Sequence, residues 1–397
     1  MVTDTQIKTG YKQTELGVIP NDWEILEVMD ATISHKQGYY TKDRYMESGV
    51  SLVRITDLHN PKIDYAAMPA LRISKRDFDL YKINVGDFLF ARSGAIGRYG
   101  IVHEKVDAIF GSYIIRFVFD SSKLINEYFG FVYETDVIWK QLLSITQGSS
   151  NININATNIK SLKVAIPPQK EEQSAIITSL SDADVLIEHL DKMIAKKKAI
   201  KQGTMQQLLT GKKRLPGFSG EWKVRELGEI AEIKTGKKNN DDKVEEGLYP
   251  FFVRSQQVER IDSYSFEGEA ILIPGEGNIG SIYHYINGRF DYHQRVYKIS
   301  NFAEQYSGKF IYLFMSQHFN VHAMKNSVKA TVDSLRLPTF QEFEIFFPPT
   351  KAEQTAIANI LSDMDKEIKN IAQKRDKYRM LKQGMMQQLL TGKIRLL

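Results

Sequence analysis

Three spacings in this chain have the form of a catalytic or cofactor-binding motif. Gly275-x-Gly277-x-x-Gly280 follows an apolar run at 270–273. It has the spacing of a dinucleotide-binding turn, whose glycines let a pyrophosphate approach the backbone at a helix N-terminus. The residues after it, 281–286, alternate like a strand and open no helix, so the spacing is read as a hairpin turn. His318 and His322 stand four apart in an expected helix, 311–324, as two zinc ligands would, but no third ligand accompanies them. Surface or core histidines are the competing reading. Thr210-Gly211-Lys212 lacks the upstream glycine of a phosphate loop. Neither Pro-Pro pair has the flanking residues with which an adenine methyltransferase grips a flipped base, and no Pro-Asp dipeptide opens a nuclease motif. A free-standing enzyme is therefore disfavoured, and no catalytic residue, metal ligand or cofactor site is expected in this chain.

What remains are clusters of side chains suited to phosphates and base edges: Arg and Lys for phosphate and guanine, Asn and Gln for adenine, Ser or Thr for either. In the first part of the chain these are Lys36, Tyr39, Tyr40, Lys42 and Arg44, then Arg92, Ser93 and Arg98 around a glycine turn, and Asn151, Asn153 and Asn155 after Gly148. In the second part they are Lys237, Lys238 and Asn239, with Lys234 and Asn240 beside them, and Arg254, Ser255, Gln256, Gln257 and Arg260. His293, Gln294 and Arg295 follow, then Lys325, Lys329 and Arg336. Solvated polar loops have the same composition, so the clusters carry more weight than any single member.

The elements that must position these loops announce themselves through an internal duplication. PPQKEEQSAIITSLSD at 167–182 returns as PPTKAEQTAIANILSD at 348–363, and KQGTMQQLLTGKKRL at 201–215 returns as KQGMMQQLLTGKIRL at 382–396, both at an offset of 181. Each Pro-Pro pair enforces an extended approach and a helix start just beyond it. Apolar residues then recur at alternating spacings of four and three: Ile176, Leu180, Ala183, Ile187, Leu190 and Ile194, and again Ile357, Leu361, Met364, Ile368 and Ile371. That is the seam of a coiled coil. Lys197, Lys201, Arg375 and Lys382 interrupt it, so the pairing is expected to loosen there or to face another partner. Gly211 and Gly392 sit at the helix stops. Gly203 and Gly384, each unfavourable in a helix by about 1 kcal/mol relative to alanine, point either to a close approach or to fraying. Some 40 helical residues would span about 60 Å.

The region at 217–347 is tied at its start to the end of the first helix and at its finish to the start of the second. Domain termini tend to lie close together, so the helices should run antiparallel, with an approximate two-fold relation between the two halves. The globular regions repeat faintly. Each is entered past a tryptophan, Trp23 or Trp222, and each has a strand running into a glycine turn, at 87–97 and 270–280. The expected architecture is α+β: two mixed α/β domains at 1–165 and 216–346, with long helices at 166–215 and 347–397.

Composition agrees with a folded chain of two domains: 397 residues, 42% hydrophobic and 25% charged. The absence of cysteine excludes disulfides and thiolate metal sites. No run of about 18 apolar residues is present and the first ten residues lack an apolar segment, so a cytoplasmic location without membrane insertion is expected. The net charge of +5 comes from 166–216 and 348–397, the globular stretches being neutral or slightly acidic. Any nucleic-acid contact they make must therefore come from local patches.

A domain, a Pro-Pro-x-x-x-Glu-Gln helix, a second and different domain, and a second copy of that helix together resemble the specificity subunit of Type I restriction-modification enzymes over essentially the whole chain. The markers are Pro167, Pro168, Glu172 and Gln173, then Pro348, Pro349, Glu353 and Gln354, with the tails at 206–212 and 387–393. The resemblance implies a non-catalytic chain whose two target recognition domains each read half of a split site in double-stranded DNA. Its helices would set the gap and dock two modification subunits that methylate adenine N6, joined for cleavage by restriction (motor-nuclease) subunits. S-adenosylmethionine, ATP and Mg would belong to those partners. A coiled-coil scaffold that never touches DNA is the alternative of a different class.

Overall fold

A computed structural model of the chain describes residues 7–145, 153–327 and 334–396. Contacts divide the chain into two compact units, one made from both ends (Met1–His189 with Lys374–Leu397) and one from the middle (Leu190–Gln373). The Pro-Pro pairs are each followed by a 39-residue helix, Lys170–Leu208 and Lys351–Leu389. Each unit thus contains the start of one long helix and the end of the other.

Within the middle unit Lys197 meets Glu367 at 2.7 Å and Lys201 meets Asp365 at 2.6 Å, so one helix ascends as the other descends. The expected antiparallel pairing is present. In the other unit Lys382 meets Asp184 at 2.6 Å, the repeat-related counterpart of the Lys201 pair. The lysines that break the apolar seam are each matched to an acid on the facing helix, whereas Arg375, which also interrupts it, bonds Asp376 beside it on its own helix. Gly203 and Gly384 lie inside uninterrupted helix with open space around them, so no close approach within either unit requires them.

In the unit formed by the chain ends, the strands Tyr99–Ile101, Phe88–Ala91, Ile114–Phe119 and Thr32–Gln37 make an antiparallel sheet in that order. A second sheet places Ala108–Phe110 parallel to Val50–Val53, with Ala70–Leu71 on the other side. In the middle unit the same plan is one six-stranded sheet, because a single nine-residue strand, His284–Tyr292, takes the place of two short ones. Its far end runs parallel to Tyr249–Phe252, as Ala108–Phe110 does to Val50–Val53. Beside each sheet a two-stranded ribbon closes the globular region at its root: Glu24–Glu27 with Lys163–Ile166, and Lys223–Glu226 with Glu344–Phe347.

One core gathers Trp23, Phe88, Phe90, Phe117 and Phe129 with Ile176 and Leu180 from one long helix and, at the end of the other, Leu389 and the adjoining Leu390. The other gathers Trp222, Ile271, Ile299, Phe310 and Phe319 with Met205, Leu208 and Leu209, and Ile357 and Leu361. Each globular region is therefore seated on both helices.

The Glu-Gln pair of the repeated motif fastens that seat. Glu172, wholly buried, receives two hydrogen bonds from Arg395, one of them 2.7 Å long, and the indole N–H of Trp23 at 3.3 Å. Glu353, also wholly buried, receives Arg214 at 2.6 and 2.7 Å. Gln173 accepts from the backbone N–H of Ile125 and donates to the carbonyl of Pro167. Gln354 likewise accepts from the N–H of Ser307 and donates to Pro348. Each glutamine thus ties the entry of the long helix to the entry of a helix in the globular region, Asn126–Tyr133 or Gly308–Lys325. Arg395 also bonds Asp22 at 2.8 and 2.9 Å, and the two carboxylates raise its pKa further above the ordinary guanidinium value.

Removing one member of a buried pair strands the other, at a typical cost of 3–5 kcal/mol. Arg395→Ala is therefore expected to destabilise the unit formed by the chain ends by about 3 kcal/mol, and Glu172→Gln added to it to recover part of that loss, as read by urea unfolding of the full chain.

Candidate nucleic-acid interface

Both globular regions build their polar face on the same backbone frame. After Thr32–Gln37 the chain passes so close to Phe110 and Gly111 that a side chain at Gly38 would collide with their carbonyl oxygens; Gly236 makes the same approach to Tyr292 and His293. Tyr39 donates from its backbone N–H to Phe110 at 2.8 Å, and Gln294 donates likewise to Lys238 at 2.8 Å. The glycine turns also match. Gly94 and Gly97 have φ of 75° and 89°, and Gly277 and Gly280 have 84° and 65°, a left-handed geometry that a Cβ disfavours. As the strand pattern indicated, 275–280 is a hairpin turn joining Phe266–Pro274 to His284–Tyr292, and it opens no helix.

In the first region three loops border a cleft of about 470 Å³ lined by Tyr39, Tyr40, Lys42, Tyr45, Arg54 and Tyr113, among others. Tyr40, Tyr45 and Tyr113 are mostly exposed. Tyr39 leans edge-on against Tyr81, and Lys36 places its Nζ 4.5 Å from the centre of the same ring. Lys42 and Arg44 are exposed on the loop. Arg92 bonds Tyr113 through its backbone and Asn153 through its side chain at 3.3 Å, with Ser93 half-buried beside it. Arg98 reaches the carbonyl of Ile55 at 3.5 Å. Asn155 caps the short helix Ala156–Lys160, a structural task. Asn151 lies outside the described residues.

The corresponding cleft in the second region, also about 470 Å³, has no aromatic side chain among the described residues of its lining, where the first has four tyrosines beside its charges; Asn240, Lys243, Arg254, Ser255, Glu276 and Asn278 are among the lining of the second. Glu276 holds Arg254 at 3.5 Å and Arg295 in a shorter ion pair. Gln294 donates its amide to Asn239, while Lys237 is exposed and Lys238 lies 3.7 Å from Asp242. Ser255 bonds the carbonyl of Gln257, with Gln256 exposed between them. Arg260 is committed to the carbonyls of Gly247 and Leu248 at 2.8 and 3.0 Å, so it holds the loop at 244–248. Lys325 is exposed at the end of the helix whose Asn320 and Ala323 abut Gly280. Lys329 lies outside the described residues.

Of the candidate residues, Tyr39, Tyr40 and Lys42 line the first cleft, and Asn240, Arg254 and Ser255 line the second. Sequence reasoning missed Tyr45, Tyr113, Arg54 and Glu276. Arg54 is forked onto the buried Asp57 at 2.7 and 3.1 Å, and a carboxylate such as Glu276 is not a residue a search for DNA contacts selects. His318 and His322 do not converge with other ligands. His318 packs on Phe314 and burial lowers its pKa, while His322 bonds the carbonyl of Thr339 at 2.9 Å. Among the described residues no group of three potential metal ligands occurs, and no helix is long and apolar enough to cross a membrane.

A family profile for the Type I restriction modification DNA specificity domain matches residues 20–201 and 219–377. The chain belongs to that family: it is a specificity subunit of a Type I restriction-modification system, a non-catalytic component. It is 26% identical over 434 aligned positions, 97% of each chain, to a specificity subunit assigned to the type I restriction enzyme MjaX of Methanocaldococcus jannaschii. It is 31% identical over 145 positions, 36% of this chain and 31% of the other, to the EcoDI specificity subunit of Escherichia coli. In fold it is similar to the crystal structure of a Type-I restriction-modification S subunit from M. genitalium, with a TM-score of 0.62 at 16% identity over 92% of this chain and 96% of that one. It is also similar, with a TM-score of 0.56 at 15% identity over 95% of this chain and 99% of the other, to a chain from a study of type I R-M complex assembly and conformational transition.

His293 follows the strand His284–Tyr292 and bonds the carbonyl of Phe252 through its backbone N–H. Burial lowers its pKa, as do Arg254 and Arg295, and its Nδ1 accepts from the backbone N–H of Arg295 at 2.9 Å. A neutral ring fits that bond. Because the folded value lies below the unfolded one, its contribution to stability is complete above a pH of about 6.5 and is lost as the pH falls through the folded pKa. An NMR titration of the His293 ring in the full chain is expected to give a midpoint below about 6.5; a higher one contradicts this electrostatic account.

Proposed function

We propose that each globular region reads one half of a split site in double-stranded DNA, and that the long helices set the gap between the halves and dock two modification subunits. The observation that carries this reading is the repetition of one backbone frame, Gly38 with Gly111 and Gly236 with His293, beneath two chemically unlike clefts. Like frames present the loops in like fashion, and unlike side chains select different bases. The modification subunits would transfer methyl groups to adenine N6 from S-adenosylmethionine. Restriction subunits joining them would use ATP and Mg, so the cofactors reside on the partners.

The helices suit a ruler because they are stiff. Thirty-nine residues span about 58 Å at 1.5 Å per residue, and the pairs Lys201–Asp365 and Lys382–Asp184 fix the register within each unit. A flexible tether would give no defined gap.

Replacing residues 24–160 by another recognition domain is expected to change one half-site and leave the other intact, read by methylated-base sequencing of cells that carry the chain with its modification partner. Change in both halves contradicts modular reading. Inserting one helical turn in both helices, between Asp184 and Lys197 and between Glu367 and Lys382, preserves every ion pair named above. It is expected to lengthen the gap by about one to two base pairs, since a turn rises 5.4 Å against roughly 3.4 Å per base pair. An unchanged gap rules out the ruler. Absence of salt-dependent DNA binding by the purified complex would favour a pure scaffold.

A further inference from the structure

We propose that Arg254 and Arg295, held by Glu276, are a guanine-reading device that belongs to the second region alone. The inference rests on the reading of the two regions as half-site readers and names the base that one of them selects. Glu276 leads into the glycine turn, Arg254 follows the strand Tyr249–Phe252, and Arg295 follows His284–Tyr292. Three separate segments thus deliver one carboxylate and two guanidiniums to one place, and Arg254 and Glu276 both line the cleft. The backbone there is doubly fastened: the N–H of Gly275 bonds Arg295 at 2.8 Å, and its carbonyl accepts from Leu335 at 2.7 Å.

Geometry and exposure separate the parts. Glu276 is 20% exposed, whereas Arg254 and Arg295 are 43% and 55% exposed, so the acid is the base of the device and the arginines are its reaching ends. Each arginine meets Glu276 through Nη1, and its Nε and Nη2 can then form the two-pronged contact with O6 and N7 of a guanine. A guanidinium whose position is already set loses less freedom when it binds, and its planar fork discriminates more sharply than the point charge of a lysine. The acid also offsets one of the two positive charges, which weakens indiscriminate attraction to phosphates relative to contact with a base edge.

The first region lacks the device: its own cleft arginine, Arg54, spends its Nε–Nη2 fork on Asp57 at 3.1 and 2.7 Å, which leaves no fork for a base. The shared approach of Gly38 to Gly111 and of Gly236 to His293 sets Tyr113 in the place of Arg295, and the matched glycine turns set Ser93 in the place of Glu276. On one frame, the same positions carry a hydroxyl and an aromatic ring in one region and an ion-paired arginine in the other. The two halves of the target therefore differ in their demand for guanine.

The test is selection from randomised duplex DNA by the full chain in complex with its modification subunits. The wild-type complex is expected to select a split sequence with guanine at two positions of one half. Arg254→Ala and Arg295→Ala are each expected to relax one of those positions by about tenfold or more and to leave the other half unchanged. Glu276→Gln is expected to weaken the preference at both. Should Arg295→Ala fail to fold, Arg295→Lys keeps a cation for Glu276 and removes only the fork, and the same position should relax. If the wild-type complex selects no split sequence, the half-site reading itself falls. If it selects one, but the variants weaken binding equally on all sequences or neither half requires guanine, the trio is a brace between loops and this inference alone is overturned.

Discussion

Two carboxylates with no access to water, Glu172 and Glu353, govern how this chain closes on itself. A buried carboxylate needs a cation and hydrogen-bond donors, because the desolvation it suffers is otherwise uncompensated. The arginine in its own repeat cannot serve. Glu172 stands at the entry of a 39-residue helix and Arg214 lies beyond its other end. Each glutamate is satisfied by the arginine of the other repeat: Glu172 by Arg395, Glu353 by Arg214. Duplication of the element thus gives each buried acid the arginine that its own helix cannot bring to it.

The exchange dictates the composition of each compact unit. A globular region meets the start of the helix that follows it directly, and it meets the end of the other helix because the arginine beyond that end must reach the buried glutamate. Tryptophan packing marks the junction: Arg395 lies 5.9 Å from the ring of Trp23, and Arg214 lies 5.9 Å from that of Trp222. Gln173 and Gln354 add the second constraint by bonding the backbone at the entry of a helix in the globular region. A rigid root is what loops on the far side of a sheet need if their side chains are to hold a fixed register on a ligand.

Much of this was legible in the sequence, because repetition and heptad spacing are strong local signals. Pro167-Pro168 and Pro348-Pro349 marked the helix entries to within a few residues, and the apolar series from Ile176 and from Ile357 marked the faces that pair. The lysines were misleading. Read singly, Lys201 and Lys382 break a seam; their acids, Asp365 and Asp184, lie on the other helix and are invisible to periodicity. The clefts were legible as clusters and illegible as sites. Nothing local brings Tyr113 beside Arg92, or Glu276 beside Arg254 and Arg295, because those contacts depend on pairing Ile114 with Ala91, Val296 with Pro274 and Phe251 with Asp291, partners more than twenty residues apart in the chain. Periodicity also cannot show that one nine-residue strand, His284–Tyr292, does the work that two short strands do in the first region.

Charge shows the same division between total and placement. The excess of lysine and arginine on the helical segments is partly consumed in holding the helices together, through Lys197, Lys201 and Lys382, and in the locks made by Arg214 and Arg395. The globular regions, neutral overall, spend acids on the arginines of their clefts: Asp57 on Arg54, Glu276 on Arg254 and Arg295. For a protein that only had to adhere to DNA this would be a poor use of cations, since each paired arginine contributes less to the release of counterions from the duplex. For a protein that must reject nearly every sequence it meets it is sound physics. In the proposed reading, an arginine anchored by an acid through Nη1, as Arg254 and Arg295 are, is weakly attracted to phosphates in general and keeps its fork for one base edge, so sequence-independent binding would fall while discrimination is kept.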